Sequence, residues 1–341
     1  MKAYIISLET PSMKLAELAT HGVDAQVVDG VDGRKVARKQ LLDQTRGSSS
    51  SYEWLHAIAP STALAIGMSH VKVWRTFLES DEPHAIIFED DVVLEDGFVA
   101  SLHQLMKEYV PENTDVLYLG RFFGDVDVST RSTFARLVTM FLPKHPSPGQ
   151  VNDYVWIPSV SLAAHAYLLT RAGAQRLLKM VEKDGIFSHI DLMINKWSAQ
   201  CDIQVYVTHP RLAYQTSVCD LSSSTNASSS HPHPLVVAKW AETVMVDRDL
   251  SLKYLFNAKL FQIGSVCLST LNVFFLVFGI ILAILNVSIP KMMMLFVILS
   301  LPDLYHLELR QFDGLALNLS LLLIPSFVRR MIDRTYIKSD G

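Results

Sequence analysis

Cysteine is almost missing from this 341-residue chain: there are three, Cys201, Cys219 and Cys267, and their spacing is not that of a ligand set. That excludes a disulfide framework and fits a reducing compartment. A basic excess is missing too. Lys and Arg number 30 against 34 Asp and Glu, for a net charge of −4, and the pI is near 6.3, so no positive field gathers nucleic acid and that partner is excluded. The N-terminus lacks a secretory apolar run, because the stretch in "MKAYIISLETPSM" closes at Glu9. It is too short for a signal peptide, which places the catalytic part in the cytosol. No internal repeat is present.

Charge of either sign is absent between Lys259 and Lys291. Half the residues are hydrophobic and the mean hydropathy is +0.24, high for a chain bathed in water on all sides. The uncharged stretch includes "SVCLSTLNVFFLVFGIILAILNVSI", and about 20 apolar helical residues cross a bilayer. The expectation is a transmembrane helix near 264–289, with a second candidate near 314–328 and a shorter apolar run at 292–302 that lies in the interface. Arg248, Lys253 and Lys259 precede the first span, and Arg329, Arg330, Arg334 and Lys338 follow the last. The positive-inside rule then makes a hairpin with both ends cytoplasmic, and so a membrane-anchored protein. Asn226-Ala227-Ser228 matches a glycosylation acceptor, of use only to a lumenal domain, and is read as chance.

Serine clusters at 47–51 and again in "SSSTNASSSHPHP", 222–234. Both are too polar and turn-rich to pack, and the second reads as a linker. Three regions follow: a domain over 1–220, a Ser/Pro-rich linker over 221–234 and a membrane-associated helical region over 235–341. The last begins with "LVVAKWAETVMV", which reads as an interfacial amphipathic helix. In the first region, strand-like runs at 3–8, 25–29, 85–88, 115–119 and 203–207 alternate with helical patterns at 69–80, 98–110 and 172–183. Such alternation predicts an α/β fold, a mostly parallel sheet covered by helices, with ligands bound beyond the carboxyl ends of the strands.

Glu89, Asp90 and Asp91 fall at one such end, closing the run "AIIF". Strand alternation sends Glu89 and Asp91 to one side and Asp90 to the other. Two carboxylates so placed are oxygen ligands for Mg²⁺ or Mn²⁺, which also recruits a phosphate-bearing substrate. Solvated loop acids, or caps for a helix starting near Asp96, are the alternative.

The surrounding stretch, Gly67 to Phe98, contains Ser69-His70 at a helix start and then Glu89-Asp90-Asp91. With "VDG" (31–33), "DVLYLGR" (115–121), "AYLLTRAGAQRLL" (166–178), "HID" (189–191) and "PRLAYQ" (210–215), it resembles glycosyltransferase family 25, the family of bacterial lipooligosaccharide and eukaryotic collagen galactosyltransferases. The resemblance implies a GT-A type nucleotide-sugar fold with a mixed sheet. It also implies a divalent cation, Mn²⁺ or Mg²⁺, on the acidic motif, a UDP-sugar donor, galactose above all and then glucose, and transfer with inversion to a glycan or lipid-linked acceptor. Ser7-Leu8 stands where the family has Asn-Leu, and Ala65-Ile66 where it has Gly-Cys. These departures fall on nucleotide-base contacts.

On that resemblance Asp91 and Glu89 are the metal ligands, with His209 a third by analogy. Asp191 is the base that inversion needs, or else the cap of the helix after it. Asp32 is placed for ribose or base, or else supports its own turn. Ser69 and His70 sit near phosphate or donor sugar, Ser69 also as the helix cap. Arg121 pairs with phosphate or acceptor, or with a surface carboxylate. Tyr154 and Trp156 stack on an acceptor sugar or pack in the core. Two other readings remain open: a non-catalytic relative serving adhesion or scaffolding, and a metal-dependent phosphohydrolase, which needs more carboxylate or histidine ligands to activate water.

Overall fold

A computed structural model of the chain describes residues 1–121, 139–140, 142–215, 245–247, 250–251, 258–305 and 312–339. It divides into two compact units, Met1–Ser223 with Val246–Asp249, and Ser224–Met245 with Leu250–Gly341. The sequence-predicted linker and the run 235–244 lie outside the described residues, as do Arg248, Lys253, Cys219 and the Asn226 acceptor.

The first unit is built on an eight-stranded sheet. Its strands are β1 (Lys2–Ser7), β2 (Ala25–Asp29), β3 (His84–Glu89), β5 (Val116–Tyr118), β6 (Gly149–Gln150), β7 (Val155–Ile157), β8 (Ala166–Thr170) and β9 (Val205–Thr208), in the order β2-β1-β3-β8-β5-β9-β7-β6. A separate pair joins β4 (Val92–Leu94) to β10 (Ala213–Gln215). β1 pairs parallel with β2 and β3, but β8 runs antiparallel between β3 and β5. The sheet is therefore mixed rather than mostly parallel.

The helices of this unit are α1 (Ser12–Thr20), α2 (Arg38–Thr45), α3 (Glu53–Ile58), α4 (Ser61–Leu78), α5 (Phe98–Glu108), α6 (Arg171–Asp184) and α7 (Ile190–Ala199). They cover both faces of the sheet. Alternation along β3 sends Ile86 and Phe88 into a core with Leu18, Phe98 and Leu102, and Ala85 and Ile87 into the opposite core with Trp74, Phe77, Leu177 and Trp197. Each large apolar side chain buried this way contributes roughly 1.5–3 kcal/mol. The same alternation puts Glu89 on the Ile87 side, facing α4.

Helix α4 begins eight residues before Ser69, so Ser69 and His70 lie in its buried middle and not at its start. The Ser69 hydroxyl donates to the Ala65 carbonyl and accepts the Val31 N–H, both at 2.8 Å. Its role is to pin the "VDG" turn to the helix. The serine cluster at 47–51 is tied down through its backbone, the N–H groups of Ser48 and Ser49 donating to the carbonyls of Glu182 and Lys183.

The second unit overturns the membrane expectation. Among the described residues no helix is long and apolar enough to cross a membrane. The uncharged stretch is split. Two short strands, β11 (Met245–Asp247) and β12 (Leu250–Ser251), precede it in the chain, and a hairpin of β13 (Lys259–Ile263) and β14 (Val266–Ser269) takes its first third. Ser269 then starts α8 (Thr270–Ile284) with a capping box, its hydroxyl on the Asn272 N–H and the Asn272 side chain on its own N–H. Asn286, with φ at 57°, lies in the turn that follows. Fifteen residues rise only about 22 Å, against roughly 30 Å of hydrocarbon. The next helices are α9 (Ile289–Tyr305) and α10 (Phe312–Ser339), the latter with Pro325 inside it and carrying Arg329 and Arg330. Strands occupy 245–247, 250–251, 259–263 and 266–269 and helices follow from Thr270, and the membrane module, the membrane partner and the membrane-anchored location fall with the spans.

Candidate active site

Parallel strands β1, β2, β3, β5 and β9 bring Ser7, Asp29, Glu89, Tyr118 and Thr208 to one edge of the sheet, and antiparallel β8 starts at that same edge. The backbone continues the seam, with the Glu89 N–H donating to the His165 carbonyl at 3.0 Å. Gly120 fits there because it has no side chain: a β-carbon would overlap the His165 ring nitrogen.

The three acids at the end of β3 diverge. Residues 90 and 91 form a turn, so strand alternation stops before it can align Glu89 with Asp91. Glu89 Oε1 meets His70 Nε2 at 3.3 Å. Asp90 Oδ2 accepts the Ser7 hydroxyl at 2.7 Å, and Asp91 Oδ2 accepts the Gln215 amide at 2.7 Å. The Glu89 carboxyl is pushed up to about 8, first by burial and then by the negative charges of Asp191 and Asp90. About a quarter of its side chain stays open, 26%, and Oε2 makes no hydrogen bond among the described residues.

Behind Glu89 lies a buried row. His70, fully enclosed at 0% exposure, is held neutral because burial pushes its imidazole down to about 4. Its Nδ1 is 2.9 Å from the Tyr167 hydroxyl, which accepts the Trp74 indole N–H at 2.8 Å. Tyr118 pairs in register with Tyr167 across β5 and β8. Among the described residues its buried hydroxyl has no hydrogen-bond partner, and burial together with the nearby Asp191 charge pushes its ionisation well up.

Asp191 lies in the first turn of α7 but is not its cap, a position held by His189. Its Oδ1 accepts the Leu192 N–H at 2.8 Å, and its Oδ2 the Ala163 N–H at 2.9 Å. One turn on, Asn195 accepts the Ser161 N–H at 3.1 Å. The helix thus grips the 161–163 segment that leads into β8.

The other predicted residues are placed apart. Asp32 carries a two-point contact from Arg34, both at 2.8 Å, which holds its carboxyl down at about 2. Arg121 is buried and donates to the Thr208 carbonyl at 2.8 Å. His209 precedes a cis-proline and bonds through its backbone to Tyr154. Among the described residues no three of His, Cys, Asp and Glu come together as a metal-holding group, so Asp91, Glu89 and His209 do not form the set of three the sequence predicted. The donor set that remains is carboxylate oxygen, which fits a hard cation taking its other ligands from phosphate and water. Tyr154 packs against Tyr109 with the rings tilted by 54° and their centroids 4.5 Å apart, and Trp156 is half-buried beside Val207.

Sequence reasoning missed Ser7, Trp74, Tyr118, Ala163, Tyr167, Asn195 and Gln215. Ser7 stood out only as a departure, and it holds Asp90. Nothing in the spacing of Tyr118, Tyr167 and Gln215 signals a site, because strand pairing brings them together, and Trp74, Ala163 and Asn195 join them only through the packing of α4 and α7.

The model of glycosyltransferase family 25 (LPS biosynthesis protein) matches residues 1–194, and the chain belongs to that family. The resemblance read from the motifs is borne out. Relatives include the lacto-N-neotetraose biosynthesis glycosyltransferase LgtB of Neisseria meningitidis serogroup B, 26% identical over 45% of this chain and 50% of its own. Mouse procollagen galactosyltransferase 2 is 23% identical over 67% of this chain and 37% of its own. The rat "probable inactive glycosyltransferase 25 family member 3" is 25% identical over 52% of this chain and 29% of its own. The chain thus spans half or less of the length of each of these relatives.

Proposed function

We propose that this chain is a glycosyltransferase that moves a hexose, galactose from UDP-galactose, onto a glycan or glycoconjugate acceptor with inversion. The observation that carries the reading is the carboxylate group at the carboxyl edge of the sheet. There Glu89 turns one oxygen to His70 and leaves the other open, with Asp191 and Asp90 close enough to raise its proton affinity. Family membership and the names of LgtB and the procollagen enzyme support the choice of reaction and sugar.

In this reading Glu89, through its open Oε2, and Asp91 would hold Mn²⁺ or Mg²⁺, whose chemistry would be to neutralise the leaving diphosphate. Asp191 takes the proton of the acceptor hydroxyl, its carboxylate aimed by the two backbone N–H groups. Asp32 and the turn that Ser69 pins take the nucleoside end of the donor. The test is calorimetry of the full chain with UDP, UDP-galactose and UDP-glucose, with Mn²⁺ and with chelator, on wild type and Asp91→Asn. Metal-dependent binding lost in the variant supports the reading, and absence of binding under all conditions overturns it.

The non-catalytic reading keeps one observation in its favour, the inactive relatives by name. Turnover of a bound donor separates the two. The phosphohydrolase reading needs a richer metal cluster, and none is present among the described residues.

A further inference from the structure

We propose that Tyr167 and Trp74 are positioning residues that fix His70 as its Nε2–H tautomer, so that the imidazole donates to Glu89 Oε1 and leaves Oε2 to face the ligand. The argument is hydrogen counting. An indole N–H only donates, so Trp74 at 2.8 Å fills a lone pair of the Tyr167 oxygen. The Tyr167 hydrogen then needs an acceptor, and among the described residues the only other partner of that hydroxyl is His70 Nδ1 at 2.9 Å. The opposite tautomer gives the Tyr167 oxygen a second incoming hydrogen and strands its own hydrogen in a place where Trp74, Tyr167 and His70 are all 0% exposed. An unmade buried hydrogen bond is too costly for that arrangement to persist.

With Nδ1 accepting, the imidazole hydrogen sits on Nε2, 3.3 Å from Glu89 Oε1. The chain of donors runs one way, from Trp74 through Tyr167 and His70 to the carboxylate. Its direction is set by the one group that cannot reverse, the indole. Alternation places Tyr167 on the same face of the sheet as Glu89, and the α4 spacing of four residues puts Trp74 and His70 on one side of that helix.

The test is nitrogen NMR of the full chain with labelled histidine, the His70 signals identified by their loss in His70→Gln. The expected result is an Nε2–H imidazole in wild type and a mixture with Nδ1–H in Tyr167→Phe. Trp74→Phe, which keeps the Tyr167 hydroxyl but frees its lone pair, also yields a mixture. Thermal unfolding confirms that each variant is folded. The kinetic arm rests on the glycosyltransferase reading: Tyr167→Phe lowers kcat about tenfold with KM for the donor changed little. His70→Gln, whose amide donates to Glu89 whatever Tyr167 does, makes Tyr167→Phe nearly silent. An Nδ1–H or doubly protonated His70 in wild type overturns the inference, as does a Tyr167→Phe protein with an unchanged tautomer. An Nε2–H tautomer in a protein that turns over no donor supports the inference and sinks the glycosyltransferase reading instead.

Discussion

Asp191 accepts the backbone N–H of Ala163 at 2.9 Å, and Ala163 is held at φ 75°, a left-handed conformation that an L side chain rarely adopts. Such a backbone costs about 1–2 kcal/mol, and a hydrogen bond to a charged acceptor is worth roughly 1.5–3 kcal/mol. The carboxylate therefore fixes the segment, and the segment aims the carboxylate.

Two substitutions separate these roles. Asp191→Asn keeps an oxygen for the Ala163 N–H, so its melting temperature stays close to wild type, while transfer falls by about 10²–10⁴-fold if Asp191 is the base. Asp191→Ala loses the acceptor as well and is destabilised by about 1–3 kcal/mol. Thermal unfolding and product formation, measured side by side, check both.

Glu89 titrates the wrong way for an acid that stabilises its fold. Its folded pKa, about 8, lies above the ordinary value. Its contribution is thus fully present at low pH and is lost as pH rises through 8. Glu89→Gln should match wild type near pH 4 and exceed it in stability at pH 9 in chelator, by roughly 1–3 kcal/mol. Urea unfolding at the two pH values is the measurement. Equal stability at both would show that the carboxyl is well solvated.

Asp32 behaves oppositely. Arg34 holds it at about 2, so its stabilising contribution is present above the ordinary carboxylate pKa and is lost as pH falls toward 2. In Arg34→Gln the Asp32 carboxyl should titrate back toward the ordinary range. Carbon NMR of that side chain reads the shift directly, and an unmoved titration would mean that something other than Arg34 sets it.

Gly120→Ala should be severely destabilising, by about 2–4 kcal/mol. The added methyl meets both the His165 ring and the Ala213 carbonyl at 2.5 Å, and neither is the far end of a flexible chain. Denaturant midpoints check this. A tolerated alanine would mean that the seam between β5 and β8 is looser than described.

Five of the strands were legible because each is a short apolar run that ends at a turn residue, and the motif "EDD" marked the functional end of β3. Strand β8 was not. "AYLLT" runs straight into the helix that starts at Arg171, with no glycine or proline between them to mark the change of period. Ser69 misled in the same local way, since a serine before an apolar periodic run reads as a cap. Its hydroxyl is used instead by a carbonyl one turn back and by an N–H from a loop 38 residues away.

The apolar tail shows the limit of hydropathy. Residues 260–290 carry no charge, yet a hairpin, a capping box at Ser269 and a turn at Asn286 divide them. Summed hydrophobicity does not record where a helix starts and stops.

By itself, then, the sequence determined the alternating α/β plan, the family and the edge of the sheet where the acids lie, because these depend on local period and on motifs a few residues long. Tertiary structure alone decided which acids meet. The turn after Glu89 sent Asp90 to Ser7 and Asp91 to Gln215, while strand order brought Tyr167 to His70 and the α7 helix brought Asp191 close enough to raise Glu89. These contacts join residues 83 to 124 positions apart in the chain, a separation over which no sequence period survives and only the packed sheet and helices can fix a distance.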